Sequence, residues 1–211
     1  MTASVAIVVG RPSSHFTRIP RVVAHALGVP CELELVPDLT STDAAGYAGN
    51  PSLKVPALRL DGEVLFGAES AARALAALAR PEQGRIVWPE EVRATIARNA
   101  HEVAWTACTT QVQLALATKV YPLDPRSPFV TKLGHALRGA LAWLDAHAEA
   151  AIAALPPERT LSLLEVTLVC LVEHVEWRET ASLAPYPRLT ALVRELGARP
   201  AFAVTRYRWP S

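Results

Sequence analysis

A change of pattern near residue 80 constrains the fold of this chain more than any other feature. The first 80 residues alternate short apolar runs with helical repeats, whereas helical spacing of apolar residues dominates after Pro81-Glu82-Gln83-Gly84. Proline and glycine in that stretch indicate a linker. We therefore predict an α/β domain at 1–80, a linker at 81–88 and an all-helical domain at 89–211.

The predicted order in the first domain is strand, helix, strand, a short irregular or helical stretch, two strands and a helix. The strands are expected at 5–9, 31–36, 54–60 and 63–66, and the last helix at 68–80. Asp61-Gly62 between the third and fourth strands is a strong hairpin signal. The first helix is expected to be capped between Ser14 and Thr17 and to end at Gly28, which would place Pro20 in its first turn, where no N–H is needed.

Four helices are predicted in the second domain. Their expected ranges are 90–119, 128–154, 162–177 and 187–196. Ser162-Leu163-Leu164-Glu165 has the spacing of a capping box, in which serine and glutamate satisfy each other's backbone N–H groups.

Charge and hydropathy exclude several classes of function. The net charge of +1 and the scattered arginines give no basic surface for nucleic acid. No apolar run is long enough to span a membrane. The stretch from Met1 to Gly10 contains an apolar run but no basic segment of the kind that begins a signal peptide, so it favours a strand. We expect a soluble, cytoplasmic protein.

The three cysteines, Cys31, Cys108 and Cys170, lie far apart in apolar surroundings. Without a CxxC pair or a Cys/His cluster they predict neither a disulfide framework nor a metal site. They are expected to be reduced, buried thiols.

Val55-Pro56 is the first candidate binding element. If its peptide bond is cis, the N–H and C=O of Val55 turn outward and can pair with an extended peptide ligand, as an added strand does. The alternative from spacing is an ordinary proline at the entry to a strand.

Two helix starts are the other candidates. Glu69 and Ser70 begin a helix, where they could bind the ammonium and carboxylate groups of the same ligand. Ser14 begins the first helix, where its hydroxyl could donate to a ligand thiol and lower the pKa of that thiol. The alternatives are a plain acidic first turn and a plain N-cap serine, a role for which Thr17 also competes.

In this order and spacing the motifs resemble those of the glutathione transferase superfamily. The segment Asn50-Pro51-x-x-Lys54-Val55-Pro56-Ala57-Leu58, followed by Asp61-Gly62 and Glu69-Ser70, is similar to its glutathione-binding signature, and Ser14 stands where bacterial, serine-type members carry the activating hydroxyl. The resemblance covers essentially the whole chain. It implies a thioredoxin-like N-terminal domain and an all-helical C-terminal domain.

The resemblance also implies a site. Ser14 would be the catalytic residue, and the residues implied to bind glutathione are Ser14, Lys54, Val55, Pro56, Glu69 and Ser70. The resemblance implies a cis Val55-Pro56 bond, with the Val55 backbone holding the cysteinyl part. Glu69 and Ser70 would bind the γ-glutamyl end, and Lys54 would lie near the glycyl end. Glutathione would be a substrate, and no metal is expected.

The chain departs from the family pattern at several points. Glu165 replaces the usual aspartate of the capping motif, and Arg73 stands where isoleucine is common. The connection before Glu69 is longer than usual, and the loop at 37–48 has no basic residue for the glycyl carboxylate.

A hydrophobic second substrate is expected against the first helix of the helical domain. His101 and Trp105 are the residues predicted to contact it, on a face continued by Cys108, Thr109 and Val112. Packing in the core is the alternative for this face. His174 is expected to be a core or flank histidine with satisfied hydrogen bonds and no catalytic role.

The resemblance implies transfer of glutathione to a hydrophobic electrophile, as in detoxification. The alternatives are a glutathione-dependent isomerase, because Ser13-Ser14 resembles the maleylacetoacetate isomerase branch, and a non-catalytic binding protein. A homodimer is implied as well, formed through the helix of Glu69 and the helix that begins near Glu90.

Overall fold

The computed structural model describes residues 5–121 and 123–209. Part of the apolar start for which no signal peptide was predicted, residues 1–4, lies outside the described residues. Contacts divide the chain into two compact units. The first comprises the described residues of Met1–Ile86, Arg159–Leu161 and Arg199–Ser211, and the second comprises Val87–Glu158 and Ser162–Ala198.

A four-stranded sheet forms the first unit together with two main helices. Its strands are β1 (Ala6–Gly10), β2 (Cys31–Leu35), β3 (Ala57–Leu60) and β4 (Glu63–Phe66). Their spatial order is β2-β1-β3-β4, with β1 parallel to β2 and antiparallel to β3. This sheet and the helical second unit confirm the predicted fold class.

The hairpin between β3 and β4 turns at Asp61 and Gly62, as predicted. Both residues have positive φ, 52° and 84°. Two-residue hairpin loops favour this conformation because its twist matches that of the strands.

Helix α1 (His15–Ala26) packs against helix α2 (Ala68–Ala77) in the first unit. Pro20 lies inside α1, so its predicted place in the first turn is wrong. Because the cap is Ser14, the helix begins at His15 and Pro20 is its sixth residue. Helix α2 ends three residues before the predicted limit.

The second unit is built from helices, and a short pair of strands occurs where the chain passes from one unit to the other. The helices are α3 (Thr95–Ala115), α4 (Pro128–Ala153), α5 (Leu163–Arg178) and α6 (Pro187–Gly197), and the two-residue strands are β5 (Ile86–Val87) and β6 (Leu161–Ser162). A short helix, α7 (Pro200–Ala203), follows and groups with the first unit. No helix among the described residues is long and apolar enough to cross a membrane.

Helix α5 is central to the second unit, and its residues 163–172 are all buried. The predicted capping box begins it. The Glu165 N–H donates to Ser162 Oγ over 3.1 Å, and the Ser162 N–H donates to Glu165 Oε2 over 2.6 Å. The predicted capping box is therefore confirmed, with Glu165 as its acidic member.

The long helix predicted at 90–119 is shorter. A 3₁₀ turn at Pro89–Glu91 comes first, and Val92 is extended, so that α3 begins at Thr95. At the other end, Leu116–Val120 forms a π-helical turn. Apolar spacing identified the helix, but it did not reveal these changes of backbone at the two ends.

Candidate functional site

Three chain segments that carry the predicted site leave the sheet at the same end. Val9 near the end of β1 pairs with Ala57 at the start of β3, and Ala57 pairs with Phe66 at the end of β4. Because neighbouring strands lie about 4.8 Å apart, these three positions span roughly 10 Å. The loop to Ser14, the Val55-Pro56 pair and the start of α2 therefore emerge side by side.

Ser14 is the N-cap of α1. Its Oγ accepts a hydrogen bond from the Thr17 N–H over 3.2 Å, and the side chain is half-buried. Ser14, not Thr17, therefore caps the helix. A hydroxyl that accepts one bond still has a proton to donate, and among the described residues the Ser14 hydroxyl donates to no partner.

Neighbouring Ser13 differs from Ser14 in exposure. Ser13 is 6% exposed and makes interactions within the protein. The burial of Ser13 makes Ser14 the more accessible of the two hydroxyls for a ligand.

The Val55-Pro56 peptide bond is cis. Within residues 5–121 and 123–209, neither the N–H nor the C=O of Val55 takes part in a hydrogen bond. The Pro56 carbonyl accepts from the Gly67 N–H over 3.0 Å. The backbone of Val55 thus offers one donor and one acceptor directly beside the start of α2.

Helix α2 begins without a side-chain cap. Its N-cap is Gly67, and the first α-helical bond runs from the Ala71 N–H to the Gly67 carbonyl. The first N–H groups of a helix have no partner within the helix and favour negative charge. Glu69, half-buried, and Ser70, exposed, both lie in this first turn.

The Glu69 carboxylate is held by Arg73 one turn further on. Arg73 Nε and Nη2 donate to Glu69 Oε1 over 2.9 and 2.8 Å. The second oxygen, Oε2, accepts no hydrogen bond from the described residues. Arg73 therefore orients the Glu69 carboxylate through Oε1 alone.

Lys54 is exposed, and its ammonium has no ion pair among the described residues. Its carbonyl accepts from Asn50 Nδ2 over 2.9 Å, and Asn50 Oδ1 accepts from the Ser52 N–H over 3.0 Å. Asn50, 4% exposed, thus fixes the loop that leads to Val55.

His101 and Trp105 lie one turn apart on α3, with ring centroids 5.9 Å apart. Both are partly exposed. His101 lines a cavity of the second unit, whereas Trp105 does not. Of the residues expected to continue this face, Cys108 is fully buried and Thr109 is exposed.

His174 is a core residue, as expected. It is 3% exposed, and Nδ1 lies 3.1 Å from Gln111 Nε2. Gln111 Oε1 accepts from the Thr180 hydroxyl over 2.7 Å, which gives this amide its orientation. His174 therefore accepts at Nδ1 and belongs to a buried polar network.

Sequence reasoning missed Arg18, which is 1% exposed on α1. Its Nε donates to Thr205 Oγ1 over 3.3 Å, its Nη2 donates to the Phe202 carbonyl over 3.1 Å, and its guanidinium lies 4.5 Å from the Tyr207 ring centroid. These contacts join the far end of the chain to the helix that Ser14 caps. Its partners follow it by more than 180 residues, so no local pattern could have indicated them.

The cysteines do not form a reactive centre. Cys108 and Cys170 are buried as expected, but Cys31 is half-buried. Burial raises the pKa of the Cys31 thiol, and nearby Arg21 opposes this shift. No group of metal-ligating side chains is found in the described part of the chain.

Comparison with known proteins bears on the fold and family. Residues 13–78 match the family model described as the N-terminal domain of glutathione S-transferase. No curated protein matches the sequence.

Solved structures of glutathione transferases resemble the chain over nearly its whole length. A glutathione transferase family member from Pseudomonas fluorescens Pf-5, solved with bound glutathione, has a TM-score of 0.78 and 24% identity, over 96% of this chain and 99% of that one. A glutathione S-transferase from Sinorhizobium meliloti 1021 has a TM-score of 0.73 and 14% identity, over 96% and 92%. One from Methylobacterium radiotolerans, in complex with glutathione sulfonate, has a TM-score of 0.70 and 20% identity, over 99% and 98%.

Proposed function

We propose that this member of the glutathione transferase superfamily is an enzyme. It binds glutathione at the sheet edge of Ser14, Val55 and Glu69. It then transfers the glutathione thiolate to a hydrophobic electrophile. The observation that carries the proposal is the register Val9–Ala57–Phe66, which brings the three segments to one edge. Their span of roughly 10 Å matches the length of an extended tripeptide.

Each part of glutathione has a partner in this proposal. The free N–H and C=O of Val55 bind the cysteinyl backbone as an added strand does. The γ-glutamyl ammonium binds Glu69 Oε2, and its carboxylate binds Ser70 and the uncapped N–H groups of α2. Lys54 faces the glycyl carboxylate as a point charge. Pro56 fixes the backbone direction at Val55.

Ser14 activates the thiol without becoming a nucleophile. Its hydroxyl proton is available, and the positive end of the α1 dipole lies beside it. The thiolate accepts a strong hydrogen bond and the neutral thiol does not, so the Ser14 O–H lowers the pKa of the bound thiol. The thiol proton passes to solvent, and the thiolate then attacks the electrophilic carbon. In a substitution the leaving group departs with its bonding electron pair, and in an addition the electron pair of the opened double bond takes up a proton from solvent. In this assignment the chain is of the serine type.

The electrophile is proposed to contact His101 and Trp105, whose neighbouring rings are both partly exposed and offer an aromatic surface. A homodimer through α2 and α3 is also proposed, and light scattering at several protein concentrations tests it. Phe66 and Leu78, both more than 40% exposed at the ends of β4 and α2, offer apolar area for such contact.

Two measurements test the function. Calorimetric titration with glutathione tests binding, and a pH series of the ultraviolet absorbance of bound thiolate tests activation. Binding together with a thiol pKa below its free value supports a transferase. Binding with an unshifted pKa supports a binding protein, and the absence of binding overturns the proposal. A panel of electrophiles, run beside a cis–trans isomerisation assay, separates conjugation from isomerisation.

A further inference from the structure

The second unit contains a cavity of about 350 Å³. It lies among the segment that precedes α3, the first two turns of α3, Leu155 just after α4, and the residues around the start of α5. Its lining shares no residue with the proposed glutathione site. This volume is within the range of sites for small organic molecules.

Most of the cavity wall is apolar. Leu155, Leu164 and Ala97 contribute aliphatic surface and are each less than 5% exposed. Trp88 and His101 add flat rings. A wall of this kind favours a planar, apolar molecule, because aromatic groups gain both buried area and ring contacts.

Charged side chains line the remaining part of the cavity. They are Glu90, Glu102 and Arg98, so carboxylates outnumber guanidinium groups by two to one. Arg98 Nε donates a hydrogen bond to the Val92 carbonyl over 2.6 Å, and Glu102 Oε1 accepts one from the Thr106 hydroxyl over 3.2 Å. The excess of negative charge disfavours an anionic ligand and favours a cationic one.

We propose that this cavity is a binding site for a small planar aromatic compound that is either neutral or carries an amine. The site stands independently of the proposed glutathione chemistry, because it needs neither Ser14 nor Val55. His101 is common to this site and to the proposed electrophile contact, whereas Ala97 belongs to the cavity and Trp105 does not.

A matched set of naphthyl compounds tests the proposal by calorimetry in the absence of glutathione. The set is 1-naphthylmethylamine, 1-naphthylmethanol and 1-naphthoate, which share a ring and differ in charge. We expect the amine to bind roughly fivefold tighter than the acid, with the alcohol between them. Equal affinity for all three, or tightest binding of the acid, contradicts the charge assignment.

Cavity variants locate the binding. Ala97→Phe fills the cavity and should abolish binding of the amine, while Asn99→Phe, an exposed change on the same helix, should leave it intact. Glu102→Lys reverses a charge without filling core space and should reverse the preference between amine and acid. Glu149→Lys, exposed on α4, is its control. Unchanged binding in Ala97→Phe and Glu102→Lys overturns the proposal.

The same protein separates this inference from the proposed function. Trp105→Leu should slow conjugation and leave naphthylmethylamine binding unchanged, whereas Ala97→Phe should abolish naphthylmethylamine binding and leave the affinity for glutathione unchanged. If glutathione fails to bind while the naphthyl series behaves as expected, the proposed function falls and the cavity site stands. If glutathione is activated but no naphthyl compound binds, the cavity proposal falls and the proposed function stands.

Discussion

The Gly67 N–H donates to the Pro56 carbonyl over 3.0 Å, so that the cap of α2 is bonded to the residue next to Val55. One end of a proposed ligand would meet Val55 and the other would meet the first turn of α2. This hydrogen bond therefore fixes the separation of the two halves of the site by backbone alone. Side-chain changes that keep the backbone conformation of Pro56 and Gly67 leave it in place.

Gly67→Ala should disturb that geometry. Gly67 has a φ of 92°, a backbone conformation that residues other than glycine rarely adopt. Space is not the obstacle, because no atom lies within 4 Å of an added Cβ. We expect chemical denaturation to show a loss of about 1–2 kcal/mol in the free energy of unfolding. Gly46→Ala, equally uncrowded and without positive φ, is the matched control and should cost nothing. Equal stability of the two variants would refute the backbone argument.

Ser14→Ala should lower kcat roughly 100-fold and change the dissociation constant of glutathione by less than about threefold. The reason is that the hydroxyl bonds strongly to the thiolate and weakly to the thiol. Stopped-flow and calorimetric measurements give the two quantities. Ser13→Ala is the neighbouring control, since Ser13 is buried. Comparable losses in kcat and affinity for Ser14→Ala would remove the activating role.

Arg73→Met should weaken glutathione binding roughly threefold, because the Glu69 carboxylate is no longer held through Oε1. Both side chains of this pair are little more than one-third exposed, so a larger effect is not expected. Glu69→Gln removes the proposed contact itself and should weaken binding more. If Glu69→Gln matters and Arg73→Met does not, the arginine has no positioning role.

Alkaline solutions should destabilise the second unit through Cys108. Burial, and to a smaller extent Cys170, raises the pKa of the Cys108 thiol well above its ordinary value of 9.0. As the pH rises, the Cys108 thiol therefore loses its proton in the unfolded chain at a lower pH than in the folded protein. The contribution of Cys108 is fully present below pH 9.0 and falls at higher pH, by at most about 1.4 kcal/mol per pH unit.

Thermal unfolding of the wild type and of Cys108→Ala through pH 9.0 measures this contribution. The variant should show a shallower decline of stability at alkaline pH even if it is less stable throughout.

Under native conditions a thiol reagent should modify half-buried Cys31 before Cys108 or Cys170. Faster reaction of Cys108 would contradict its burial.

Local patterns predicted much of the fold. The Asp61-Gly62 turn and the Ser162–Glu165 capping box are short-range devices whose residues are chemically specific, and both are confirmed. The cis bond before Pro56 followed from a resemblance, because spacing by itself left a trans bond equally open. Its presence is confirmed, and the ligand roles of the surrounding residues stay predictions.

Long-range and backbone-dependent features escaped prediction. The start of α3 depends on Pro89 favouring a 3₁₀ turn and on Val92 being extended, neither of which apolar spacing reveals. The Glu69–Arg73 pair lies at helical spacing and could have been found from charge alone. Arg18 could not, because its partners belong to a distant segment that sequence reasoning assigned to the other domain.

That distant segment has a consequence for the order of folding. A ribosome that has finished the sheet, α1 and α2 must still synthesise every helix of the second unit before Phe202 and Thr205 can reach Arg18. During that interval Arg18, which is buried in the completed fold, has no partner from this segment. The first unit begun is therefore also the last to be completed, because its closure waits until this segment has been synthesised.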